Sequence, residues 1–460
     1  MIMNLFLILV LCVSLLSSAP VLHLEPGKVL GFDYQTKKGN YAEVFLNIPY
    51  ASPPVGDLRF EKPIPPKPWE VIRNGTNFGT SCHPIAKEAI FPPAHPSEDC
   101  LTLNIIRPKK EAPPEGFPIL FWIHGGAYEI GSAHMYGYKG FADIYVAHDI
   151  IVVAVQYRLG VYGFFSTGDS RIPGNLGLFD MAEAIKFVHA NAKNFGGDVS
   201  RFTVFGHSAG SAAAGQLILS SLTRDLFSAI VGLGNFLHGF GVNRADYPKW
   251  NREKLISELK KFIQSVYVGD HQEEVIREVI AYYVDREEEQ RYEFYLDRYT
   301  EFLSDVLFNV AAVDGILARR AAGWTMYAYS FEYYNDRMYD KNVPIRMRGS
   351  PHGGEAPYTN GVSFSKLADF NDEERLVADV LRQSFIEFVK TGAPNNSHEV
   401  WLDVGTEGSL RYLKIAPVPQ MTQGFHHGSA SLWHKVREYG FDVIQQLPAT
   451  NSTLGAKKGI

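Results

Sequence analysis

The hydrophobic residues of this chain occur in short runs separated by segments with helical spacing. Two runs, PILFWIHGG (118–126) and IIVVAVQYRLG (150–160), are continuously apolar and end in glycine, which is typical of strands buried on both faces. Helical spacing extends over residues 175–197 and stops at Gly196, and RFTVFGHSAG (201–210) predicts a strand followed by a helix to about Ser221. This alternation predicts an α/β fold with a mostly parallel central sheet and helices on both faces.

The remaining segments predict further elements of both kinds. Residues 20–70 alternate strand-like runs with turns, and SAIVGLGNFLHGFGVN (228–243) has the pattern of a buried strand. Residues 251–320 are helical and charged, WTMYAYSFEYY (324–334) alternates like a strand, and residues 372–391 predict one amphipathic helix. The sequence has no internal repeat and no glycine/serine-rich linker.

Composition excludes several classes of function. The chain has 460 residues, of which 46% are hydrophobic and 20% are charged, as in ordinary soluble globular proteins. A net charge of −6 provides neither the basic surface that binds nucleic acid nor a polybasic membrane patch. The sequence contains no metal-ligand cluster and no nucleotide-binding loop, so it implies no cofactor.

The N-terminus predicts export. MIMNLFLILVLCVSLLSSAP (1–20) holds one apolar run followed by small residues, so we predict a signal peptide over residues 1–19, although the usual basic residues before the run are missing. A single anchor helix is the alternative, but the run is shorter than the ~20 residues that a membrane span needs. The mature chain is then one domain over residues 20–447, followed by a tail over residues 448–460. We expect it to be secreted or to stay in the lumen of the secretory pathway.

Cysteines and sequons agree with that location. Cys12 leaves with the signal, and the two cysteines that remain, Cys82 and Cys100, predict one disulfide. Sequons for N-glycosylation begin at Asn74, Asn395 and Asn451.

The stretch VFGHSAGSAAA (204–214) places a serine in G-x-S-x-G spacing between a strand and a helix of small residues. In a nucleophile elbow the strand turns sharply into the helix, and glycines such as Gly206 and Gly210 leave room for that turn. The N-terminus of the following helix favours developing negative charge. Ser208 is therefore predicted to be a catalytic nucleophile; a solvent-exposed serine in a plain turn is the alternative.

A nucleophilic serine of this kind also needs hydrogen-bond donors for an oxyanion. The N–H of Ala209, directly after the serine, is one candidate. The glycine-rich segment WIHGGAYEIG (122–131) follows a predicted buried strand, and the amides of Gly126 and Ala127 are the other candidates.

The general base is expected in a loop after a late strand. GSPHGGEAPY (349–358) follows the predicted strand near residue 330 and supplies His352. His124 lies in the donor segment itself, and His238 follows the serine too closely. The other histidines considered lie late in the chain and are His426 and His427.

The acid that orients such a histidine is not found in the expected place. It should follow a strand between Ser208 and His352, yet residues 228–243 contain no Asp or Glu. The other acids considered lie in helical or polar context, where a solvated or structural role is the ordinary one; they are Asp246, Asp305 and Asp314.

These motifs together resemble the type-B carboxylesterases, the cholinesterase/esterase/lipase family of the α/β-hydrolase fold. The resemblance extends over nearly the whole mature chain and is greatest to nematode gut esterases. Its blocks follow in the family's order: NIPYASPPVGDLRFEKPIPPKPW (47–69), SEDCLTLNI (97–105), HGGAYEIGS, YRLGVYGF, GNLGLFD, FGGD, GHSAG, YLDRYTEFLSDVLFNV (295–310) and GSPHGGEAPY.

The resemblance implies a role for each candidate residue. Ser208 would be the nucleophile and His352 the base, with oxyanion donors at Gly126, Ala127 and Ala209. It also implies that Cys82 pairs with Cys100, and that Arg59–Glu98 and Arg158–Asp180 are structural ion pairs.

Three positions depart from the family's pattern. His207 stands before the nucleophile where many members have Glu, and Ala127 replaces a third glycine. The third departure is a deletion: members carry roughly a hundred more residues after the nucleophile helix, including the strand that delivers the catalytic acid. The deletion leaves Leu237 or His238 where that Glu should stand, so the catalytic acid is unknown.

Three interpretations follow from these observations. The first is a secreted serine carboxylesterase that hydrolyses small-molecule esters through an acyl-enzyme on Ser208 and is impaired by loss of the acid. The second is a catalytically inactive, esterase-like binding or adhesion protein. The third is a shortened splice form or faulty gene model of an ordinary esterase. The oligomeric state is left open.

Overall fold

The structure is a computed structural model that describes residues 19–85, 95–233, 242–285, 291–339, 341, 343–362 and 369–443. Four predicted features therefore lie wholly or largely outside the described residues. They are the signal peptide up to residue 18, the tail over 448–460, the sequon at Asn451, and the part of the 228–243 segment that spans residues 234–241.

Strands form three sheets. Their bounds are β1 (Val21–Leu24), β2 (Gly27–Leu30), β3 (Phe32–Gln35), β4 (Tyr41–Pro49), β5 (Arg73–Asn74), β6 (Thr102–Pro108), β7 (Phe117–Ile123), β8 (Ile151–Val155), β9 (Gly197–His207), β10 (Ala229–Leu233), β11 (Tyr329–Phe331), β12 (Arg411–Ile415) and β13 (Gln420–Gln423).

Helices lie between and after these strands. Their bounds are α1 (Ala133–Tyr136), α2 (Lys139–Ile144), α3 (Gly160–Phe164), α4 (Leu176–Asn191), α5 (Ala209–Leu217), α6 (Arg252–Val266), α7 (Gln272–Tyr283), α8 (Tyr292–Ser304), α9 (Val310–Ala321), α10 (Ala356–Thr359), α11 (Asp372–Thr391) and α12 (His427–Arg437). In the described part of the chain, none of them combines the length and the hydropathy needed to cross a membrane.

The chain forms two compact units. The first consists of the described residues within Met1–Leu233, Asn360–Val362 and Ile386–Ala393, and the second of those within Gly234–Thr359, Ser363–Phe385 and Pro394–Ile460. The first holds a seven-stranded sheet of order β10-β9-β7-β8-β6-β4-β3 and a small sheet of order β1-β2-β5. The second holds the sheet β11-β12-β13 and the helices from α6 to α9.

The predicted parallel sheet is correct for one half and wrong for the other. Strands β10, β9, β7 and β8 pair in parallel, whereas β8, β6, β4 and β3 pair in antiparallel fashion. The antiparallel half has a simple cause at its edge: only residues 36–40 separate β3 from β4, and a connection this short can join only antiparallel neighbours. The parallel half ends in the loops that carry the candidate nucleophile and its donors.

Burial follows the hydrophobic pattern in the first unit. All residues of β7 and of β8 are buried, as the continuously apolar runs predicted. The ring centroid of Trp122 lies 4.9 Å from that of Phe205 and 5.3 Å from that of Phe141. These three rings pack together in the core on one face of the sheet. Helix α4 adds Met181 and Ile185 to the main core of this unit.

The second unit has its own core around Trp433, which is fully buried. Helices α6, α7 and α8 contribute Leu259, Val279 and Phe302 to this core. The indole Nε1–H of Trp433 donates to the hydroxyl of Tyr283 at 3.0 Å, so the core also contains a polar contact.

Two predicted elements are shorter than expected. The helix after the nucleophile ends at Leu217 rather than near Ser221, because the Thr223 hydroxyl donates to the carbonyl of Leu217 and chain reversal begins there. Of the predicted strand 324–334 only Tyr329–Phe331 pairs with β12. Its preceding residues bond to a loop instead, with the N–H of Val404 donating to the carbonyl of Met326.

The implied covalent and ionic links are present. Cys82 and Cys100 form a disulfide, and both are buried. Arg59 binds the carboxylate of Glu98 through two guanidinium nitrogens, with Nη2 lying 2.7 Å from Oε1. The predicted disulfide is therefore confirmed, and so is the first ion pair.

The disulfide should contribute strongly to stability because it closes a loop between residues 18 positions apart. Replacing both cysteines by alanine should lower the free energy of unfolding by about 3 kcal/mol, the loss of loop-closure entropy for a loop of this size. Denaturant unfolding with and without dithiothreitol measures this. Wild type should lose stability on reduction and the double variant should not; a variant as stable as oxidised wild type would contradict the account.

Candidate active site

Ser208 occupies a strained turn between β9 and α5. Its backbone has φ 55° and ψ −121°, a region that residues with a side chain rarely adopt, and α5 begins at the next residue. The strand therefore ends and the helix starts within one residue. This is the geometry of the predicted nucleophile elbow.

Glycines on both sides make the turn possible. A Cβ atom at Gly206 would lie 2.1 Å from the carbonyl oxygen of Gly210. One at Gly210 would lie 2.2 Å from the carbonyl oxygen of Ile123, at the end of β7. Real side chains cannot approach so closely, so strand β9, helix α5 and strand β7 meet here only because both positions are glycine.

The predicted donor loop lies directly beside the serine. After β7 the backbone takes positive φ at Gly126, Ala127 and Tyr128 (119°, 56° and 62°), and the N–H groups of Glu129 and Ile130 both donate to the carbonyl of Gly126 at 2.9 Å. Among the described residues, no acceptor binds the amides of Gly126 or Ala127.

Two further contacts complete this arrangement. A Cβ at Gly125 would lie 2.8 Å from the Cβ of Ser208, so the loop packs against the serine itself. The amide of Ala209 is the first N–H of α5 and has no partner within its own helix. The structure thus brings Ser208 together with the backbone segments that carry all three predicted donors.

His124 supports the donor loop and is not placed as a base. It is fully buried, its ring stacks on Tyr157 at a centroid distance of 4.3 Å, and its Nδ1 lies 2.8 Å from the carbonyl oxygen of Gly125. Because that oxygen can only accept, Nδ1 carries the proton. The Tyr157 hydroxyl donates to the His124 carbonyl at 2.7 Å. Burial lowers the pKa of His124 to about 4, so the ring is neutral at physiological pH.

The second implied ion pair, Arg158–Asp180, anchors the loop that follows strand β8. Arg158 donates to Asp180 through its backbone N–H at 3.0 Å, Nε at 2.8 Å and Nη2 at 2.7 Å, and both side chains are buried. Burial raises the pKa of Asp180, while the bonds from Arg158 act in the opposite direction. This bidentate geometry fixes the loop after β8 to helix α4 and confirms the expectation.

His207 is also enclosed by the first unit. It is buried, and its Nδ1 lies 3.2 Å from the hydroxyl of Tyr136, whose ring packs edge-on against Trp122. A buried imidazole thus directly precedes Ser208 in the chain.

His352 lies in the second unit, on a loop held by several hydrogen bonds. The hydroxyl of Ser350 donates to the carbonyl of Tyr333 at 2.9 Å, and the N–H of Gly349 donates to the hydroxyl of Tyr339 at 3.1 Å. The N–H of Gly354 donates to the carbonyl of Pro351 at 2.8 Å, which closes a tight turn around the histidine. His352 itself is half-buried.

Comparison with known proteins identifies the family. The sequence profile of the Carboxylesterase family matches residues 18–251 and 238–433. The chain belongs to the carboxylesterase family. By family it is a carboxylic ester hydrolase, and the resemblance drawn from its motifs is confirmed.

Curated relatives extend this result. Gut esterase 1 of Caenorhabditis elegans is 31% identical over 566 aligned residues, which cover 98% of this chain and 99% of the relative. Gut esterase 1 of Caenorhabditis briggsae is 31% identical over 548 aligned residues, which cover 95% of this chain and 96% of the relative. Pyrethroid hydrolase Ces2a of Mus musculus is 41% identical over 227 aligned residues, which cover 47% of this chain and 40% of that relative. This carboxylesterase has only 460 residues, so more than a hundred of the 566 positions aligned with the first relative are gaps in it.

The three alternative acids of this carboxylesterase are all engaged elsewhere. Asp246 forms an ion pair with Lys249 at 2.6 Å on a 3₁₀ turn. Asp314 binds His434 through one oxygen and Arg437 through the other. These are the structural roles that sequence context predicted for both acids.

Asp305 is the most deeply buried of the three acids, with 2% of its surface exposed. One oxygen accepts from the Tyr283 hydroxyl at 2.8 Å, and the other accepts from the Asn309 amide at 2.8 Å. Burial raises the pKa of its carboxyl to about 6, although these hydrogen bonds act in the opposite direction.

The other histidines considered are placed as follows. His426 starts the last helix with a left-handed backbone at φ 45°, and burial lowers its pKa to about 4. His427 is the first residue of α12. His238 lies outside the described residues.

The sequence analysis missed the contact on His352. The ring of Phe308 lies 5.1 Å from the imidazole, centroid to centroid, with 34° between their planes. Phe308 was part of a motif of the family resemblance and had been given no role. A helical pattern alone does not show which of its aromatic residues faces a distant loop.

Gly125→Ala should impair catalysis without unfolding the protein. The added methyl group would lie 2.6 Å from the carbonyl oxygen of His207 and would also meet the side chain of Ser208. These contacts would force the donor loop and the serine apart. We expect kcat for a short-chain aryl ester to fall by about 10- to 100-fold. Gly408→Ala is the matched control, because a Cβ there meets nothing within 4 Å and φ is ordinary. Equal activity of both variants would show that the loop does not need this approach.

Asp305 should make stability depend on pH in a predictable direction. Its carboxyl holds a proton more tightly in the folded state, so the folded state loses stability as pH rises from about 4 to about 6. The difference in the free energy of unfolding between wild type and Asp305→Asn should therefore fall by about 2 to 3 kcal/mol between pH 4 and pH 7. Denaturant unfolding at both pH values measures this; a difference that stays constant would show that the carboxyl titrates normally.

Proposed function

We propose that this carboxylesterase hydrolyses small carboxylic esters through an acyl-enzyme on Ser208. The observation that carries the proposal is the backbone of Ser208, held at φ 55° against the donor loop. A serine in that conformation presents its hydroxyl at the end of a parallel strand. The three neighbouring amides would bind the negative charge that develops on the carbonyl oxygen.

The reaction takes place in two halves. The Ser208 oxygen attacks the ester carbonyl carbon while His352 takes the hydroxyl proton, and the carbonyl oxygen becomes an oxyanion held by the amides of Gly126, Ala127 and Ala209. Collapse expels the alcohol, which receives the proton from His352. Water then attacks the acyl carbonyl carbon while His352 takes its proton, and His352 returns that proton to the Ser208 oxygen as the carboxylic acid leaves.

Backbone strain supports this chemistry. The donor amides are fixed by the positive φ of Gly126 and Ala127 and by the start of α5, so they need little reorganisation as charge develops. The helix N-terminus adds a favourable partial positive charge near the same oxygen.

We propose further that the family's catalytic acid is missing because its segment has been deleted. The family profile matches in two pieces that overlap at residues 238–251, and the alignment with Gut esterase 1 needs more positions than this chain has residues. The engagement of Asp246, Asp305 and Asp314 with other partners supports the same proposal. Loss of the orienting acid costs on the order of 10⁴-fold in kcat in serine hydrolases, so we expect slow turnover.

Export is part of the proposal. The Cys82–Cys100 disulfide suits an oxidising compartment, and the side chains of Asn74 and Asn395 are exposed, as glycan acceptors must be. We place the mature domain over residues 20–447.

A fluorophosphonate probe tests the nucleophile directly. Wild type should be labelled at Ser208 and should hydrolyse a short-chain aryl ester slowly. Without the orienting acid, His352 is a less efficient base but still activates the serine beside its oxyanion donors. Ser208→Ala should abolish both signals, and His352→Ala should reduce both by about 10³-fold or more. Peptide mass spectrometry locates the label.

Ser211→Ala is the matched control, since this serine lies one turn along the same helix and its backbone N–H, which the substitution keeps, donates to the carbonyl of Ser208 at 2.8 Å. It should be labelled as wild type is. A folded wild-type protein without any label would overturn the proposal in favour of a non-catalytic binding protein.

A further inference from the structure

Helices α8 and α9 are joined by a π turn rather than a loop. The turn comprises Asp305–Asn309, and the N–H of Val310 donates to the carbonyl of Asp305, five residues earlier. Turns of this kind are rare and are frequently found at functional sites. The turn therefore needs an explanation from its surroundings.

Buried hydrogen bonds hold this turn from one side. The Asp305 carboxylate accepts from Asn309, four residues along the same turn, and from Tyr283 on helix α7, each at 2.8 Å. Tyr283 in turn accepts from the Nε1–H of Trp433 on helix α12 at 3.0 Å. Helix α7 thus holds the carboxylate directly and helix α12 holds it through Tyr283, while the carboxylate bridges the two ends of the turn.

On the turn, Phe308 contacts His352. The centroids of the two rings lie 5.1 Å apart with a tilt of 34°, within the range of favourable aromatic contacts. Phe308 is half-buried, whereas its neighbour Leu307 is exposed at 42%. The hydrogen bonds of Ser350 and Gly354 restrain the loop on either side of the histidine. The imidazole therefore lies between a restrained loop and an aromatic ring on a restrained turn.

We propose that Phe308 is a positioning residue for the imidazole of His352, and that Asp305 holds the π turn that presents it. The inference rests on the proposed function, in which His352 is the base of Ser208. A base must keep one ring orientation through both proton transfers, a task that falls to a carboxylate in complete triads. The face of an aromatic ring limits rotation of the imidazole and favours the imidazolium that forms during each transfer.

The test compares Phe308→Leu, which removes the aromatic face but keeps most of the apolar volume, with Phe308→Tyr, which keeps the face. Phe308→Leu should lower kcat for an aryl ester about tenfold with KM changed less than twofold, because orientation and not binding is lost. Phe308→Tyr should restore kcat. Asp305→Asn should change kcat in the same direction, since one of its two accepted hydrogen bonds is lost.

A second readout does not depend on catalysis. Diethyl pyrocarbonate modifies exposed imidazoles, and mass spectrometry gives the rate at His352 alone. Phe308→Leu should raise that rate by about three- to tenfold, consistent with loss of a covering ring, and Phe308→Tyr should not. Leu307→Val is the matched control on the same turn and should leave both kcat and the modification rate unchanged.

The outcomes separate the two proposals. If Phe308→Leu behaves as Leu307→Val does in both readouts, the positioning role is wrong while the serine mechanism stands. If wild type lacks label on Ser208, the proposed function fails and the catalytic role of Phe308 fails with it. A raised modification rate with unchanged kcat shows that Phe308 covers the ring without positioning it, which also overturns the inference.

Discussion

The left-handed backbone of Ser208 is the constraint on which the candidate site depends. A non-glycine residue at φ 55° is costly, and it persists here because β7, β9 and α5 meet at glycines that allow almost no other packing. The same close approach sets Gly125 against the serine and starts α5 at Ala209. A single packing arrangement in the first unit therefore places Ser208 together with the three candidate donor amides.

The proposed base, His352, is held by different physical means. His352 lies on a loop of the second unit whose shape comes from hydrogen bonds to Tyr333 and Tyr339 and from a tight turn at Gly354. Its ring contacts an aromatic side chain on a π turn that a buried carboxylate holds. This ring contact adds a steric restraint on the imidazole to the hydrogen bonds that hold its loop.

Sequence alone predicted the elements that carry a local signal. The elbow at Ser208, the helix that stops at Gly196 and the helix 372–391 all follow from periodicity and from glycines with a steric task. The sequence did not predict the features that depend on contacts between segments far apart along the chain. The antiparallel half of the sheet, the three-residue β11 and the contact of Phe308 with His352 depend on which segments meet, and spacing along the chain does not contain that information.

The formation of an acyl-enzyme tests the central claim most directly. Rapid mixing with an activated aryl ester should release a burst of the phenol close to one equivalent per chain, followed by slow turnover, because an activated phenol leaves readily during acylation and deacylation by water then limits the rate. The acyl group should be recovered on the peptide that contains Ser208. Release without a burst, at a rate that Ser208→Ala leaves unchanged, would contradict the account.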